Sequence, residues 1–262
     1  MIKMPTIKEK QLEMLRMLKN IDRVCQENNI EYALASGSML GAIRHNGYIP
    51  WDDDTDIMLD WDNYNKLLNV WDKSNQDNTM FLLSNENNNK YPFLFPKIVS
   101  RKMKLMEPIL SGLGLEYGIW IDIFPVIVRG KEGKERKKQH RYIKWGNFLL
   151  HKYYYINSSD FVKNNHKYLG LKRLVFRLIP DKTCFGMAHK YLNKAAVIGT
   201  SNEVFKMHDE SFSYSKKIYD SGIEYVEFED TKLPVLKEWN EYLTILYGDW
   251  KTPVKYTHEL DE

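Results

Sequence analysis

The sequence has few cysteines and no long apolar run. Only Cys25 and Cys184 occur among 262 residues, which excludes a disulfide scaffold and predicts two reduced, structural thiols. The opening residues, MIKMPTIKEK, lack the apolar core of a signal peptide, and no stretch of about 18 apolar residues could span a bilayer. We therefore expect a cytoplasmic protein.

Internal repeats and low-complexity linkers are also absent, so nothing in the sequence marks a domain boundary. Hydrophobic residues make up 43% of the chain and charged residues 28%, which is ordinary for a globular protein and excludes a disordered one. We predict a single α+β unit over residues 1–262, with a helical, basic region at 130–220 inside it.

Positive charge is concentrated in one part of the chain. The net charge is only +3, but residues 129–182 contain 15 Lys and Arg against 4 Asp and Glu, with aromatic residues among them. Such a region suits an anionic membrane surface or a polyanionic acceptor, or it is a solvated helical face that is merely basic. Because no zinc finger or RNA-binding signature accompanies the charge, we expect no nucleic-acid partner.

The most informative segment is ASGSMLGAIRHNGYIPWDDDTDIML at residues 35–59, which ends in alternating aspartates. In an extended strand, Asp52, Asp54 and Asp56 would project from one face, and Thr55, Ile57 and Leu59 from the other. Carboxylates this close raise one another's pKa unless a cation lies among them. The pattern therefore predicts a divalent-metal site, and a solvated acidic turn is the alternative.

A strand, a tight turn and a helix precede the aspartates. A capping box of Thr6 and Glu9 predicts a helix over 7–28, followed by a strand at 32–35 and a helical segment at 39–45. The turn between them contains Gly37 and Ser38. Free N–H groups at a helix start favour phosphate, although Gly-Ser is also an ordinary turn.

A second acid lies in the most apolar strand of the sequence. The segment GIWIDIFPVIV at 118–128 predicts a buried strand with Asp122 at its middle. A buried carboxylate is costly unless it is paired or bound to a metal. Asp122 is therefore a candidate ligand brought beside the aspartate strand, or it is paired with an Arg or Lys at a sheet edge.

The remaining elements follow from spacing and from Gly and Pro. We expect Asp62 to cap a helix, the loop containing Asn85 to be exposed, and Pro180 and Gly186 to interrupt the helical region. The other predicted elements are strands at 80–84, 95–100 and 223–228, and helices at 131–156, 161–178, 184–197 and from Pro234 to Tyr247, the last ended by Gly248.

These segments resemble the LicD family, to which fukutin-related proteins are also similar. The resemblance rests on residues 35–59, FPKI at 95–98, GIWIDIFPV at 118–126 and LPVLKEWNEYLTILYGDW at 233–250. It implies a nucleotidyltransferase-like fold, with a mixed β-sheet core flanked by helices. It also implies transfer of phosphocholine, or a related phospho-alcohol, from CDP-choline or another CDP-alcohol to a hydroxyl of a lipid-linked glycan or teichoic acid precursor, with release of CMP.

The resemblance also implies roles for individual residues. Gly37 and Ser38 would bind the donor phosphates, and the catalytic acids would be Asp54, Asp56 and Asp122. We expect these three, with Asp52, to hold Mg²⁺ or Mn²⁺ on the pyrophosphate, and Asp122 to complete the metal shell or act as the base.

Cationic and aromatic residues complete the predicted site. Arg44 and Lys97 would compensate the phosphate charge, or else are solvated surface cations. A quaternary ammonium is best held by aromatic faces, and Trp51 is our candidate, with Tyr48 and Trp120 also near the acids; core packing is the alternative. His45 is left out of the catalytic set.

Two other functions remain open. A glycosyltransferase could use the Asp-x-Asp pattern to bind a metal and a nucleotide sugar, and a scaffold could retain an inactive transferase fold. The Gly-Ser turn and Asp122 favour the phosphotransferase, which we expect to act at the inner face of the plasma membrane.

Overall fold

The computed structural model describes residues 5–104, 112–115, 118–157 and 169–253, in which helices and strands alternate as predicted for an α+β protein. The helices are α1 (Ile7–Glu27), α2 (Ser36–His45), α3 (Trp61–Ser74), α4 (Lys134–Leu150), α5 (Lys152–Asn157), α6 (Leu169–Leu178), α7 (Asp181–Ile198), α8 (Lys216–Asp220) and α9 (Trp239–Tyr247). The strands are β1 (Ala33–Leu34), β2 (Asp56–Asp60), β3 (Met80–Leu83), β4 (Lys97–Lys104), β5 (Gly118–Val128), β6 (Glu203–Lys206), β7 (Tyr214–Ser215), β8 (Ile223–Phe228) and β9 (Thr231–Leu236).

A mixed sheet of seven strands forms the centre of the fold. Its main path is β1-β2-β5-β4-β3, and β6 and β7 extend it from β5. The pairing of β2 with β5 is parallel, and the other pairings are antiparallel. Because β5 is buried on both faces, its sequence is almost continuously apolar, as the prediction of a strand at 118–128 required.

Strands β4 and β6 lie one after the other along the same edge of β5. Asp122 pairs with Lys97 of β4 and Val126 pairs with Lys206 of β6, while β2 covers the opposite edge. The residues just before β4 and just after β6 are therefore brought together beside the middle of β5.

Helix α1 confirms the predicted capping box. The Glu9 N–H donates to Thr6 Oγ1 at 3.2 Å, and the Thr6 N–H donates to Glu9 Oε2 at 2.7 Å. The helix buries Leu18, Ile21 and Cys25 against the sheet, but Leu12, which keeps the same spacing, is 55% exposed.

Two predictions next to the central sheet are wrong in detail. The N-cap of α3 is Asp60, whose side chain accepts the Asn63 N–H at 2.8 Å, and Asp62 lies in the first turn. The Asn-rich loop is not wholly exposed, because Asn85 is buried and donates to the Phe93 carbonyl at 2.8 Å.

The prediction of a helix starting at Pro234 is wrong. Pro234 lies in β9 opposite Tyr225, because β8 and β9 form a separate two-stranded sheet. Each strand of such a sheet has an unpaired edge, where proline's missing N–H costs little. The helix begins instead at Trp239. It ends at Tyr247, and Gly248 follows it at φ 63°, as predicted for this end of the helix.

The predicted helices of the basic region are confirmed in part. The one at 131–156 forms α4 and α5, separated at His151, and the one at 184–197 forms α7, which follows Pro180. Gly186 lies inside α7, so the prediction that it interrupts the helical region is wrong. The prediction at 161–178 lies partly outside the described residues, and its described part is α6.

A second hydrophobic cluster joins this helical region to the sheet. It includes Leu150, Phe176 and Cys184, and it meets the sheet at Ile127 and Phe205. Both cysteines are buried and free, as predicted. The boundaries of a single unit over 1–262 stay a prediction. Of the described helices, none has both the length and the apolar character needed to cross a bilayer.

Candidate active site

Three charged side chains lie in one row across the centre of the sheet. Asp56 of β2 pairs in register with Asp122 of β5, which pairs with Lys97 of β4. Residues directly opposite each other in neighbouring strands project from the same face of a sheet. The structure therefore brings Asp122 beside the aspartate segment, as predicted.

The prediction that one extended strand carries all three alternating aspartates is wrong. Strand β2 begins at Asp56, and Asp52 and Asp54 precede it in a loop. Gln11 holds this loop by donating to the carbonyls of Ile49 and Asp52 at 3.0 and 2.9 Å. Residues 52–54 have no strand partner, so alternation in the sequence does not make them part of the sheet.

Asp52, Asp54, Asp56 and Asp122 still interact as one group, which we call the acidic cluster. Burial, followed by repulsion from Asp54 and Asp122, raises the pKa of Asp56 well above its ordinary value. Burial and then Asp54 raise the pKa of Asp52 to about 7. The cluster therefore resists full ionisation unless positive charge enters it.

Lys97 supplies part of that positive charge. Its ammonium contacts the Asp122 carboxylate and lies 4.5 Å from the centroid of the Trp120 ring and 5.3 Å from that of Phe95. Burial raises the pKa of Asp122, and Lys97 opposes that rise. Asp122 thus satisfies both interpretations made from the sequence, because it is ion-paired and also lies beside Asp56.

Lys206, at the end of β6, is a second cation that sequence reasoning missed. Its Nζ donates to Ser36 Oγ at 2.8 Å and lies 4.6 Å from the Phe124 ring centroid. Burial lowers the pKa of Lys206, while the charges of Asp56 and Asp122 oppose that effect. Lys206 is about 150 residues from Asp56 in sequence and carries no motif, so only the strand pairing places it here.

His208 was also missed. Its ring stacks on Phe124 at a centroid distance of 4.2 Å and contacts Phe95 at 4.8 Å. Burial, and then the charge of Lys206, lower the pKa of His208 to about 4, so the ring is neutral at pH 7. Its Nδ1 is buried without a hydrogen-bond partner in the described part of the chain.

The predicted phosphate turn is the first turn of α2. Ser36 lies at φ 48°, a left-handed conformation that is uncommon for serine and typical of functional sites. The Asp56 N–H donates to Ser38 Oγ at 2.9 Å, which leaves the Ser38 hydroxyl proton free to be donated. Gly37 faces Asp52, because a Cβ at Gly37 would lie 2.9 Å from Asp52 Oδ2.

Gly37→Ala is expected to lower turnover about tenfold while the protein stays folded. The added methyl must displace Asp52, and small misplacements in an active site are costly. The fold tolerates the change because alanine is the better helix former by about 1 kcal/mol.

Gly186→Ala in α7 is the matched control, since its Cβ would meet nothing within 4 Å. Turnover and thermal unfolding of both variants provide the measurement. Equal turnover in the two variants would show that Gly37 is not needed to position Asp52.

Other predicted site residues have partners elsewhere. Arg44 donates to the Trp250 carbonyl at 2.9 Å, and Trp51 packs edge-on against His45 with centroids 6.4 Å apart. Tyr48 packs on Phe228. The aromatic residues considered for a quaternary ammonium are therefore in contact with separate partners, and Trp51 is half-buried beside the acidic loop.

The metal ligands that the acidic cluster offers are all carboxylate oxygens. Carboxylate oxygens are the ligands that Mg²⁺ and Mn²⁺ prefer, and a cation would relieve the repulsion that adds to burial in raising the pKa values of Asp52 and Asp56. Within the described ranges, however, no three acidic, histidine or cysteine side chains lie close enough together to hold an ion. The chemistry fits a divalent cation, and the loop carrying Asp52 and Asp54 would have to close on it.

Comparison with known proteins agrees with this geometry. Residues 29–107 match the family model described as LicD/FKTN/FKRP, nucleotidyltransferase domain. Over 251 residues the chain is 26% identical to the lipopolysaccharide cholinephosphotransferase LicD of Haemophilus influenzae, which covers 94% of this chain and 91% of that protein. An uncharacterized protein of Rickettsia prowazekii is 45% identical over 49 residues, 19% of this chain and 18% of that protein. These matches confirm the resemblance seen in the sequence motifs: the chain is a phosphotransferase that is similar to LicD over most of its length.

Proposed function

We propose that the protein transfers phosphocholine, or a related phospho-alcohol, from a CDP-linked donor to a hydroxyl of a cell-surface glycan or teichoic acid precursor, and releases CMP. The observation that carries this proposal is the acidic cluster with Lys97 and Lys206 on the same side of the sheet. Acids and cations together suit a pyrophosphate and its counter-ion better than either would alone.

Each group has a role in the proposed reaction. Asp54 and Asp56, assisted by Asp52, would hold Mg²⁺ or Mn²⁺, which supplies charge neutralisation for the pyrophosphate and the leaving CMP. Lys97 and Lys206 would stabilise the non-bridging oxygens. The Ser38 hydroxyl and the Gly37 N–H, at the start of α2, would donate to a phosphate.

The proposed chemistry is a single displacement at phosphorus. The acceptor oxygen forms a bond to the phosphorus that carries choline, and the bond from that phosphorus to CMP breaks. The hydroxyl proton passes to a carboxylate of the acidic cluster, for which Asp122 is the candidate because its pKa is raised. Trp51 is the candidate for contact with the choline ammonium.

The proposed cation site in the acidic cluster predicts how pH and Mg²⁺ affect the stability of the fold. The Asp52 pKa rises from 3.8 to about 7 on folding, so the stability that this group contributes is fully present below pH about 4 and is lost as pH rises to about 7. Saturating Mg²⁺ is expected to raise the free energy of unfolding by about 1 kcal/mol or more at pH 8, and much less at pH 5.

Thermal unfolding with and without magnesium chloride checks this expectation, and sodium chloride of equal ionic strength is the control. An equal effect of Mg²⁺ at the two pH values would argue against a carboxylate site.

A donor panel tests the proposed function itself. The purified protein is incubated with CDP-choline, other CDP-alcohols or UDP-sugars, together with Mg²⁺ and lipid-linked glycan acceptors from bacterial membranes, and released nucleotides are measured. We expect acceptor-dependent release of CMP. Acceptor-dependent release of UDP without CMP would instead identify a glycosyltransferase, and release of neither would favour the scaffold.

The acceptor class also implies a location. Because lipid-linked precursors are held in a bilayer, we propose that the enzyme works at the inner face of the plasma membrane, with its basic region toward the membrane. Residues 129–182 contain 15 Lys and Arg but only 4 Asp and Glu, which supports this placement.

A further inference from the structure

Helix α6 exposes an apolar face to solvent. Its Leu169 and Phe176 are 7% and 1% exposed and pack on the protein. The exposed fractions of Leu171, Leu174, Val175 and Leu178 are 61%, 58%, 43% and 75%. At 100° per residue, these four lie in a stripe about 100° wide, opposite the buried pair. A helix at a protein surface normally has polar residues on that side.

Helix α4, which packs against α6, also exposes a tryptophan. Trp145 of α4 is 49% exposed and contacts Phe148 edge-on at a centroid distance of 5.8 Å. Phe148 in turn contacts Phe176 of α6 at 5.1 Å. We call the four exposed residues of α6 the apolar stripe. Tryptophan is typical of the boundary between lipid headgroups and acyl chains.

Cations border the apolar stripe. Lys172 Nζ lies 4.6 Å from the Tyr155 ring centroid, and Arg173 Nε donates to the Tyr155 carbonyl at 3.0 Å, so both are held against the protein at the flank of the stripe. Arg177 is exposed on the same helix. The surrounding segment, residues 129–182, has only 4 acidic residues against 15 basic ones.

We propose that the apolar stripe and its basic border form a docking surface for an anionic phospholipid bilayer. The helix lies in the membrane plane, its leucines enter the acyl-chain boundary, and the flanking cations meet the headgroups. Charge complementarity selects this occupant, because the border offers cations and almost no acids to a partner. The surface stands on its own geometry, and it would also bring the proposed active site to lipid-linked acceptors.

Vesicle flotation with the full chain tests this proposal without any enzymatic readout. We expect binding to vesicles that mix phosphatidylcholine with phosphatidylglycerol, and weak binding to phosphatidylcholine alone. Leu174→Gln with Leu178→Gln is expected to lower the partition coefficient about tenfold or more. Arg177→Gln is expected to lower it about fivefold, with a smaller effect at high salt.

Leu12→Gln is the matched control, since Leu12 is a 55% exposed leucine on α1, outside the stripe. It is expected to leave vesicle binding unchanged. Thermal unfolding confirms that the variants are folded. Equal vesicle binding by the double variant and the control would overturn the proposal. A second result would also overturn it: sedimentation shows self-association of the protein, and the double variant abolishes that self-association without changing vesicle binding. The stripe would then be an interface between copies.

Discussion

Asp56→Asn is expected to reduce turnover about a thousandfold without loss of stability. In the proposed site this carboxylate would hold the metal that neutralises the pyrophosphate, and losing such an interaction costs about this much. Asparagine keeps the shape of the side chain and removes one charge from a cluster in which burial, and then repulsion, raise the pKa of Asp56. The free energy of unfolding should therefore stay the same or rise.

Asp53→Asn is the matched control within the same run of aspartates. The Asp53 side chain is 57% exposed and bonds to Lys10 at 2.6 Å. Exposed ion pairs contribute about 1 kcal/mol or less, so this variant should keep both turnover and stability. Comparable turnover in Asp56→Asn and Asp53→Asn would remove Asp56 from the catalytic set.

Lys97→Met is expected to destabilise the protein by about 3 kcal/mol or more and to abolish turnover. The substitution leaves the Asp122 carboxylate, whose side chain is only 15% exposed, without the cation that it contacts, and breaking an ion pair so little exposed costs about this amount. Chemical denaturation and the turnover assay give the two quantities.

The double variant Lys97→Met, Asp122→Asn separates stability from catalysis. Removing the unpaired charge should restore most of the lost stability, while turnover stays low because both groups belong to the proposed site. Lys10→Met is the control for losing a lysine, since Lys10 pairs with the exposed Asp53. A double variant with full turnover would show that the pair is only structural.

Local chemistry explains which parts of the fold could be predicted. The capping box at Thr6 and the apolar strand containing Asp122 each carry their signal within a few residues, and both predictions are confirmed. Pro234 misled because its position after a strand and before apolar helical spacing also fits a helix start, and only pairing with β8 makes it part of a strand.

In the candidate site too, the residues that could be predicted are those with a local signal in the sequence. Asp56 was recognised by the alternation of aspartates at 52, 54 and 56, and Asp122 because it is an acid within an apolar strand. The start of β2 was not predicted correctly. Residues 52–54 continue the alternation of the strand in the sequence, and they differ from strand residues only because no neighbouring strand pairs with them. Lys206 and His208 carry no local signal, because β6 reaches the site only by pairing with the end of β5.

The most direct test of the proposed function follows the transferred phosphorus. CDP-choline with radiophosphorus in the phosphate next to choline is incubated with the protein, Mg²⁺ and lipid-linked glycan acceptors, and the lipid-extractable and nucleotide fractions are separated. We predict that the label moves to the glycan, that the CMP released in equal amount is unlabelled, and that Asp56→Asn abolishes the transfer while Asp53→Asn does not. Glycan that stays unlabelled under these conditions, while the same acceptors take up sugar from a UDP-linked donor, would contradict the proposal.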